Sequence, residues 1–497
     1  MVSQVVRGWL VVFVSLISLN AKEIEKPMLQ DERFPPQVIK VEDFGAKGDG
    51  KTNDRYAIMK AIRNAGYGDK VVFRHNATYL IEDGSIPITK NGIILEGNGA
   101  TLVREPPIYL GKLKGTGLVT DMNVEDCILA VGSLWGGNNV TIRNLKLRSN
   151  YNTPIGIIVN ASGVKIENCK ISRFMNALIH ISSSKGKNIC IEGCDLSYSY
   201  NGISWNVNVH ASDYRILKNH IHRVRDGIQI NTPGRGWKTT YSGGGPQREY
   251  LSKGGSSNIW IIGNTIEYTG FRPDGFSPPG VNYKERFYEG TGISLSRVSN
   301  LIIRHNRFLH IPRTALHIEA FSHDIDFSYN YVESAQFGII VYYGGPNRYR
   351  CIAREYADKV GVKLPFHAVH GPKYNIHIGN NEIYAGECAV FIYTHPKHWD
   401  PRTGNQDPQY NWYVHDNIFQ ANPSLIDKIQ PWLKEVEGRP MEPAGWWQNL
   451  KPIKNLDWRN NKVTSFVYVE QHGEQNLKGN HEWFEKHKFF QDYLRQK

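Results

Sequence analysis

Four side chains that could carry acid–base chemistry lie close together in the segment from Arg313 to Tyr343. One residue, Ile318, separates His317 from Glu319, so on an extended strand both side chains point to the same face. Arg313 precedes them, and Tyr342 falls on the corresponding face of the next strand of an internal repeat. An imidazole beside a carboxylate, with a phenol and a guanidinium nearby, can move protons and stabilise developing negative charge. These four residues are the candidate catalytic residues.

Two cleavage reactions on a polymeric sugar fit these residue types. In β-elimination from a uronate, one group neutralises the carboxylate, one removes the proton next to it, and one protonates the leaving oxygen. Arg313 or Arg225, His317 and Tyr342 could fill those roles, and Glu319 would orient the imidazole.

Hydrolysis needs different groups, namely two carboxyls about 5 to 9.5 Å apart. Glu319 is one candidate, and the second would be Asp226 or one of the loop acids Asp274, Glu289 and Asp324. The side chains that share this face of the repeat include few acids and many Arg, His, Tyr and amide groups. Their composition favours elimination and leaves hydrolysis open.

The elements that must position these side chains form an internal repeat. Short strands of alternating polarity end at Asn144, Asn168, Gly193 and Asn219, with spacings of 24 to 26 residues. A period in that range with short strands is typical of a parallel β-solenoid. The sequence therefore predicts an all-β fold, a single-stranded right-handed parallel β-helix. We expect the recurring Asn residues to stack as a structural ladder.

A second set of strands in each repeat has the form G-I-x-I. Period-2 alternation places Ile203, Ile228, Ile293, Leu316, Ile339 and Val390 inward. The alternate positions form one outward strip: Ser204, Asn206, Gln229, Asn231, Ser294, Ser296, His317, Glu319, Ile340, Tyr342, Phe391 and Tyr393.

The predicted substrate-binding residues lie on this strip or in long insertions beside it. Arg225 occupies the position equivalent to Arg313 two coils earlier, which puts the two guanidiniums about 10 Å apart. Arginine binds planar carboxylate or sulfate groups through paired hydrogen bonds. Asp226 is either a substrate contact or a turn residue before Gly227. The full set is Arg225, Asp226, Gln229, Asn206, Trp237, Tyr343, Tyr393 and His395.

The start of the repeat region carries a recognisable motif. The segment from Asp43 to Asp54, DFGAKGDGKTND, leads into a predicted helix that Asp54 can cap. This opening resembles the N-terminus of the pectate-lyase-like parallel β-helix superfamily of polysaccharide-degrading enzymes and phage tailspikes. The resemblance implies a helix that caps the first coil. DGIQI and GTGISLS resemble two strands of the polygalacturonase-like hydrolases, whose second aspartate pair and central His are missing here, so the catalytic roles above rest on strand geometry.

Composition restricts the partners. The formal net charge is +12 and the pI is about 9.2, which favours anionic partners. Basic residues interleaved with aromatics in the insertions favour an acidic polysaccharide or oligosaccharide, and no nucleic acid or membrane span is predicted. Six cysteines in so long a chain do not indicate a disulfide scaffold. No metal ligands or cofactor are predicted, with calcium left open.

The predicted domain organisation has four parts. Residues 1–21 read as a signal peptide, 22–37 as a linker, 38–420 as the β-helix with its insertions, and 421–497 as a C-terminal coil and capping helix. The expected protein is a secreted enzyme, extracellular or periplasmic, that cleaves an acidic polysaccharide. A glycoside hydrolase of the same fold and a non-catalytic glycan-binding solenoid are the alternatives.

Overall fold

The computed structural model describes most of the chain between residues 35 and 475. The described ranges are 35–82, 84–104, 127–132, 136–151, 153–181, 186–205, 212–230, 256–271, 290–296, 298–318, 322–342, 373–386, 388–393, 409–422, 424–425, 428, 454–463, 467–468, 470–471 and 474–475.

The chain winds into coils whose strands stack in parallel on three faces. Face 1 is a 13-stranded parallel sheet. Its strands are Val38–Lys40, Lys70–Val72, Ile94–Glu96, Thr141–Arg143, Lys165–Glu167, Lys187–Glu192, Ser212–Leu217, Ser256–Ile262, Val298–Arg304, His323–Ser328, Lys373–Gly379, Gln409–His415 and Lys454–Arg459.

Faces 2 and 3 together make a 22-stranded sheet, because two long strands, Asp195–Trp205 and His220–Ile230, bend from one face onto the other. The remaining strands of face 2 are Asp49–Asn53, Thr78–Leu80, Thr101–Arg104, Lys146–Ser149, Lys170–Ser172, Thr265–Glu267, Arg307–Ile311, Tyr331–Ser334, Glu382–Ala385, Ile418–Ala421 and Lys462–Val463. Those of face 3 are Ile86–Ile88, Cys127–Val131, Ile155–Val159, Ala177–Ile181, Thr291–Leu295, Thr314–Ile318, Phe337–Tyr342, Cys388–Tyr393 and Val467–Tyr468. A separate antiparallel pair joins Glu470–Gln471 to Glu474–Gln475.

The inward residues of the three faces form one continuous apolar core. The predicted inward positions of face 3, from Ile203 to Val390, are at most 1% exposed. The small residue that precedes them in each strand has a packing reason. A Cβ on Gly227 would lie 2.5 Å from the Gly292 carbonyl oxygen and 2.7 Å from an Ile266 methyl carbon, so the G-I-x-I pattern marks a close approach of neighbouring coils.

An asparagine ladder runs inside the turn between face 1 and face 2, but its register differs from the predicted one by a residue in the early coils. Asn144, Asn168 and Gly193 have left-handed backbone and align with Lys218 rather than Asn219. The position aligned with Asn219 is apolar there, and the Cys194 amide donates to Asn219 Oδ1 at 2.9 Å. The ladder proper is Asn219, Asn264, Asn306, Asn330, Asn381, Asn417 and Asn461.

Asn occurs in the ladder because its side-chain amide makes hydrogen bonds between coils. A left-handed backbone is not the reason. Asn306 Nδ2 donates to the Ile261 carbonyl at 2.9 Å and to Asn330 Oδ1 at 3.0 Å. Its own Oδ1 accepts from both the amide and the Nδ2 of Asn264. Asn306 is 1% exposed, so each donor and acceptor of the amide is used where no water is needed.

A helix, Arg55–Asn64, packs on the first coil as the N-terminal cap, burying Ile58, Met59, Ala61 and Ile62. Asp54 precedes it as predicted, but its carboxylate makes no capping bond to the helix. It accepts instead from the amides of Lys47 and Gly48, at 2.6 and 2.9 Å, and so closes the Gly-rich loop before the helix.

The predicted signal peptide, most of the linker and the C-terminal helix from Glu482 to Leu494 lie outside the described residues. In the part of the chain that is described, no helix is long and apolar enough to cross a bilayer.

Candidate active site

Face 3 carries two neighbouring rows of residues on the side away from the core. The outer row is Ala130, Ile158, His180, Ser204, Gln229, Ser294, His317 and Ile340, one residue per coil. The edge row is Cys127, Ile155, Ala177, Asn201, Asp226, Thr291, Thr314 and Phe337. The apolar members at one end form a cluster separate from the main core. Both rows are therefore apolar at their ends and polar in the middle coils, and this polar middle is the candidate strip.

The strip is more enclosed than a simple outward face would be. Ser204, Ser294 and His317 are 6%, 7% and 5% exposed, whereas Gln229 is partly exposed. Hydrogen bonds and charges in such a setting act with little competition from water. The enclosure therefore strengthens the hydrogen bonds that the strip side chains make.

His180 is a second histidine on the strip, and the sequence analysis did not name it. It is 5% exposed, and its Nδ1 lies 2.8 Å from Ser204 Oγ. Burial lowers the pKa of His180 to about 4, so the imidazole is neutral at pH 7. The signal was present in the sequence, because ALIHI, residues 177–181, repeats the pattern of TALHI, residues 314–318.

Arg225 and Asp226 form an ion pair at the edge of the strip. Arg225 Nη1 donates to Asp226 Oδ2 at 2.6 Å, and the guanidinium lies 4.4 Å from the centre of the Tyr200 ring. Asp226 Oδ1 accepts from the Thr291 amide of the next coil at 3.2 Å. Residues 225 and 226 are 9% and 4% exposed. The pair therefore joins two coils, and the positive charge of Arg225 is largely compensated by its neighbour.

Arg313 lies half-buried just before the strand that carries His317. The coil between Arg225 and Arg313 has Gly290 at the equivalent place, since Arg313 donates its amide to the Gly290 carbonyl. The two arginines are thus two coils apart, a backbone separation of about 10 Å.

Several predicted site residues fall outside what the structure describes. These are Asn206, Trp237, Glu319, Tyr343 and His395. The backbones of Tyr342 and Tyr393 pair in register on face 3, while their side chains also lie outside the described part.

The hydrolytic alternative loses one of its acids. Asp324 lies on face 1, where its carboxylate is 2.7 Å from His323 Nδ1 and accepts from Asn375 Nδ2 at 2.7 Å. The assignment of Asp324 as a loop acid beside the strip was wrong, because the residue is the second of the face-1 strand His323–Ser328, where its backbone is left-handed. Asp274 and Glu289 lie outside the described residues.

One group of potential metal ligands lies together in the described part of the chain, on face 2. The ligand atoms of Asp195, His220 and His222 are within 4.8 Å of one another. Arg223 Nη1 lies 3.1 Å from His222 Nδ1, and since a guanidinium only donates, that nitrogen must accept. The proton of His222 is then on Nε2, which donates to Asp195 Oδ1 at 3.0 Å.

A metal on His222 Nε2 would move that proton to Nδ1, against the Arg223 guanidinium. The hydrogen bonds from His222 and from Lys170 hold the pKa of Asp195 well below its usual range. The group fits a hydrogen-bonded network and does not fit a metal site.

The turn between face 2 and face 3 carries a row of large side chains that the sequence analysis missed. All its members have left-handed backbone, with φ between 50° and 64°. They are Tyr151, Arg173, Tyr198, Arg223, Tyr268 and His310, and we call this row the Tyr–Arg ridge.

Comparison with protein-family models places the chain among known β-helices. Residues 38–243 match the model described as "Rhamnogalacturonase A/epimerase, pectate lyase-like". Residues 207–354 match the model of the right-handed β-helix region. The predicted resemblance to pectate-lyase-like and right-handed β-helix proteins is confirmed by these two matches. The match to the right-handed β-helix model and the parallel strands of the three faces confirm the predicted fold class.

Among characterised proteins, the chain is similar to "Depolymerase 1, capsule KN3-specific" of Klebsiella phage KN3-1. The two are 28% identical over 156 residues, which cover 28% of this chain and 18% of the phage protein. The chain thus spans less than a fifth of the length of that relative.

Three of the solved structures that resemble this chain are a glucanase, an epimerase module and a tailspike. The catalytic unit of a GH87 α-1,3-glucanase from Streptomyces thermodiastaticus has 12% identity and a TM-score of 0.47, covering 88% of this chain and 70% of its own. The mannuronan C-5 epimerase AlgE4 A-module from Azotobacter vinelandii has 14% identity and a TM-score of 0.41, covering 87% and 98%. The Dettilon tailspike has 14% identity and a TM-score of 0.44, covering 82% and 57%.

Proposed function

We propose that this chain is a secreted enzyme that cleaves glycosidic bonds of an acidic polysaccharide by β-elimination. The observation that carries the proposal is the position of His317. It lies at one end of a polar strip whose flanking coils are apolar, it is 5% exposed, and Arg313 stands just before its strand. The family model and the capsule depolymerase both support a polysaccharide substrate.

The proposed reaction uses the strip residues in sequence. Arg313 binds the uronate carboxylate and stabilises the negative charge that develops there. His317 takes the proton from the carbon next to that carboxylate. The electron pair of the C–H bond forms a carbon–carbon double bond, the bond to the glycosidic oxygen breaks, and Tyr342 supplies the proton to that oxygen. Glu319 orients the imidazole of His317.

The pairing of Arg225 with Asp226 refines these roles. Because Asp226 already compensates the Arg225 charge, we assign Arg225 to the structure of the strip edge and not to the substrate carboxylate. Arg225 and Asp226 would then shape the edge of the strip and fix the position of the coil that carries Thr291.

The test is product analysis on a panel of uronate polymers. β-Elimination releases an unsaturated uronate that absorbs in the ultraviolet, and we expect this absorbance with the wild-type chain and its loss in His317→Ala. New reducing ends without the absorbance would show that the enzyme hydrolyses the polymer and does not cleave it by elimination. Retention of the polymer without any new ends would identify a non-catalytic glycan-binding solenoid.

A matched control is available in the sheet itself. His377 is a histidine on face 1 that pairs with Asp326, so His377→Ala removes an imidazole without touching face 3. Activity should survive this substitution, and equal loss in both variants would contradict the assignment of His317.

A further inference from the structure

The Tyr–Arg ridge uses residues that its backbone does not favour. Near the start of the face-1 strands one position has the same left-handed backbone. Its residue is Gly in three coils, Gly68, Gly92 and Gly163, and Asn or Asp in eight: Asn139, Asn188, Asp213, Asn258, Asn300, Asp324, Asn375 and Asn411. Asn and Asp tolerate this conformation far better than large side chains do. Backbone preference can account for His310 but not for the five Tyr and Arg residues, so another property selects Tyr and Arg along the ridge.

Four of the six ridge side chains, Tyr198, Arg223, Tyr268 and His310, contact one another. The Arg223 guanidinium lies 5.7 Å from the centre of the Tyr198 ring and 5.3 Å from that of Tyr268. The Tyr268 and His310 rings are stacked, with centres 4.4 Å apart. Stacking fixes the faces of these groups, so the ridge presents their polar edges, which are hydroxyl and guanidinium donors.

Exposed cations on face 2 extend the positive charge from the ridge. Lys146 and Lys170 are directly opposite each other on neighbouring strands, an arrangement that destabilises a sheet. Arg148 lies on the same strand as Lys146, and Arg173 of the ridge follows the strand of Lys170; all four are exposed. Lys170 is bonded to Asp195 at 2.9 Å. This concentration of positive charge indicates an anionic partner.

The ridge runs beside the strip. Tyr198 and Arg223 are three residues before Asn201 and Asp226 of the edge row, a distance of about 10 Å along an extended chain. Six ridge residues at one per coil span about 24 Å parallel to the solenoid axis. A polymer lying along the axis can contact the strip and the ridge together.

We propose that the Tyr–Arg ridge, with the exposed cations of face 2, binds the acidic groups of the polysaccharide along a line separate from the reacting centre. This inference rests on the proposed function and assigns the recognition of charge mainly to the ridge. In the described strip, Arg225 is paired with Asp226 and Arg313 adds one positive charge, so the ridge supplies more of the binding charge than the strip does.

The test compares two variants with the same loss of charge. Arg173→Gln/Arg223→Gln removes two ridge cations, and Arg63→Gln/Arg215→Gln removes two exposed cations from the cap helix and face 1. Dissociation constants of the full chain are measured against alginate, polygalacturonate and hyaluronan, each beside its carboxyl-reduced form, at low and high salt. We expect the ridge variant to bind at least about tenfold more weakly than the control, with a shallower salt dependence.

The outcomes separate this inference from the proposed function. Equal affinity and salt dependence in both variants, or equal binding of the carboxyl-reduced polymers, would overturn the inference. If the ridge variant binds weakly but the wild type releases no product, the inference holds and the enzymatic proposal fails. Where product forms, the ridge variant should raise KM and leave kcat near the wild-type value. If the double variant does not fold, Arg173→Gln alone, at an exposed position, replaces it in the test. This single variant should show a smaller loss of affinity and a smaller change in salt dependence.

Discussion

Removing Arg225 should destabilise the edge of the strip more than removing Arg225 and Asp226 together. In Arg225→Leu the Asp226 carboxylate, 4% exposed, loses the guanidinium that lies 2.6 Å away. An uncompensated buried charge of this kind costs about 3–5 kcal/mol. In Arg225→Leu/Asp226→Asn neither charge remains, and the new amide oxygen can still accept from the Thr291 amide. We expect that double variant to lose only about 1–2 kcal/mol.

Hydrogen exchange at Thr291 measures this difference where it arises. The Thr291 amide donates to Asp226 Oδ1, so its protection reports the opening of the contact between the two coils. A loss of about 3 kcal/mol corresponds to exchange roughly a hundredfold faster in Arg225→Leu. Mass spectrometry of a peptide that contains Thr291 would detect it. Arg215→Leu, which changes an exposed residue of face 1, is the control and should leave the peptide unaffected.

The double-mutant cycle gives the refuting result. A coupling of about 2 kcal/mol between Arg225 and Asp226 follows from a buried, mutually compensating pair. The cycle compares Arg225→Leu, Asp226→Asn and the double variant. If the Thr291 amide of the double variant exchanges as fast as the two single effects added together require, the two residues act independently, and the structural role assigned to the pair is wrong.

Two further predictions concern the strip and the ladder. Burial lowers the pKa of His180 to about 4, so the unfolded chain accepts a proton near pH 6.5 that the folded state does not accept until about pH 4. The free energy of unfolding should therefore fall between pH 6.5 and 4, by up to about 3 kcal/mol. In His180→Gln the free energy of unfolding should change less over this pH range. An unchanged slope in His180→Gln would show that other groups set the acid limit. Asn306→Ala removes bonds to two neighbouring coils and should cost about 3 kcal/mol, against less than about 1 kcal/mol for Asn160→Ala at an exposed position, as judged by urea denaturation. Equal losses would contradict the ladder's role.

The repeat predicts the fold because each coil must bury the same kind of face. Ile228, Ile293 and Leu316 alternate with polar residues at a period of two, and stacking such strands buries a continuous core. The one-residue error in the Asn ladder arose in coils where Asn168 occupies the left-handed turn and Cys169 the inward position. Both positions accept Asn for different reasons, so composition alone could not assign the register.

The site was predicted less completely, for physical reasons that can be named. The position of His317 followed from strand alternation, and His180 would have followed from the same rule. The ion pair of Arg225 with Asp226 and the ridge around Arg223 depend on how side chains stack between coils that are far apart in sequence. Asp324 was misplaced because an acid near the start of a face-1 strand has no sequence mark that separates it from a loop acid beside face 3.

Elimination at His317 predicts two signals that can be followed in one reaction. The wild type, His317→Ala and His377→Ala are each incubated with the uronate polymer that the wild type binds best, while ultraviolet absorbance and reducing ends are followed together. Both signals should rise in parallel for the wild type and His377→Ala and stay at background for His317→Ala. Reducing ends that appear without absorbance, or full activity in His317→Ala, would contradict the account.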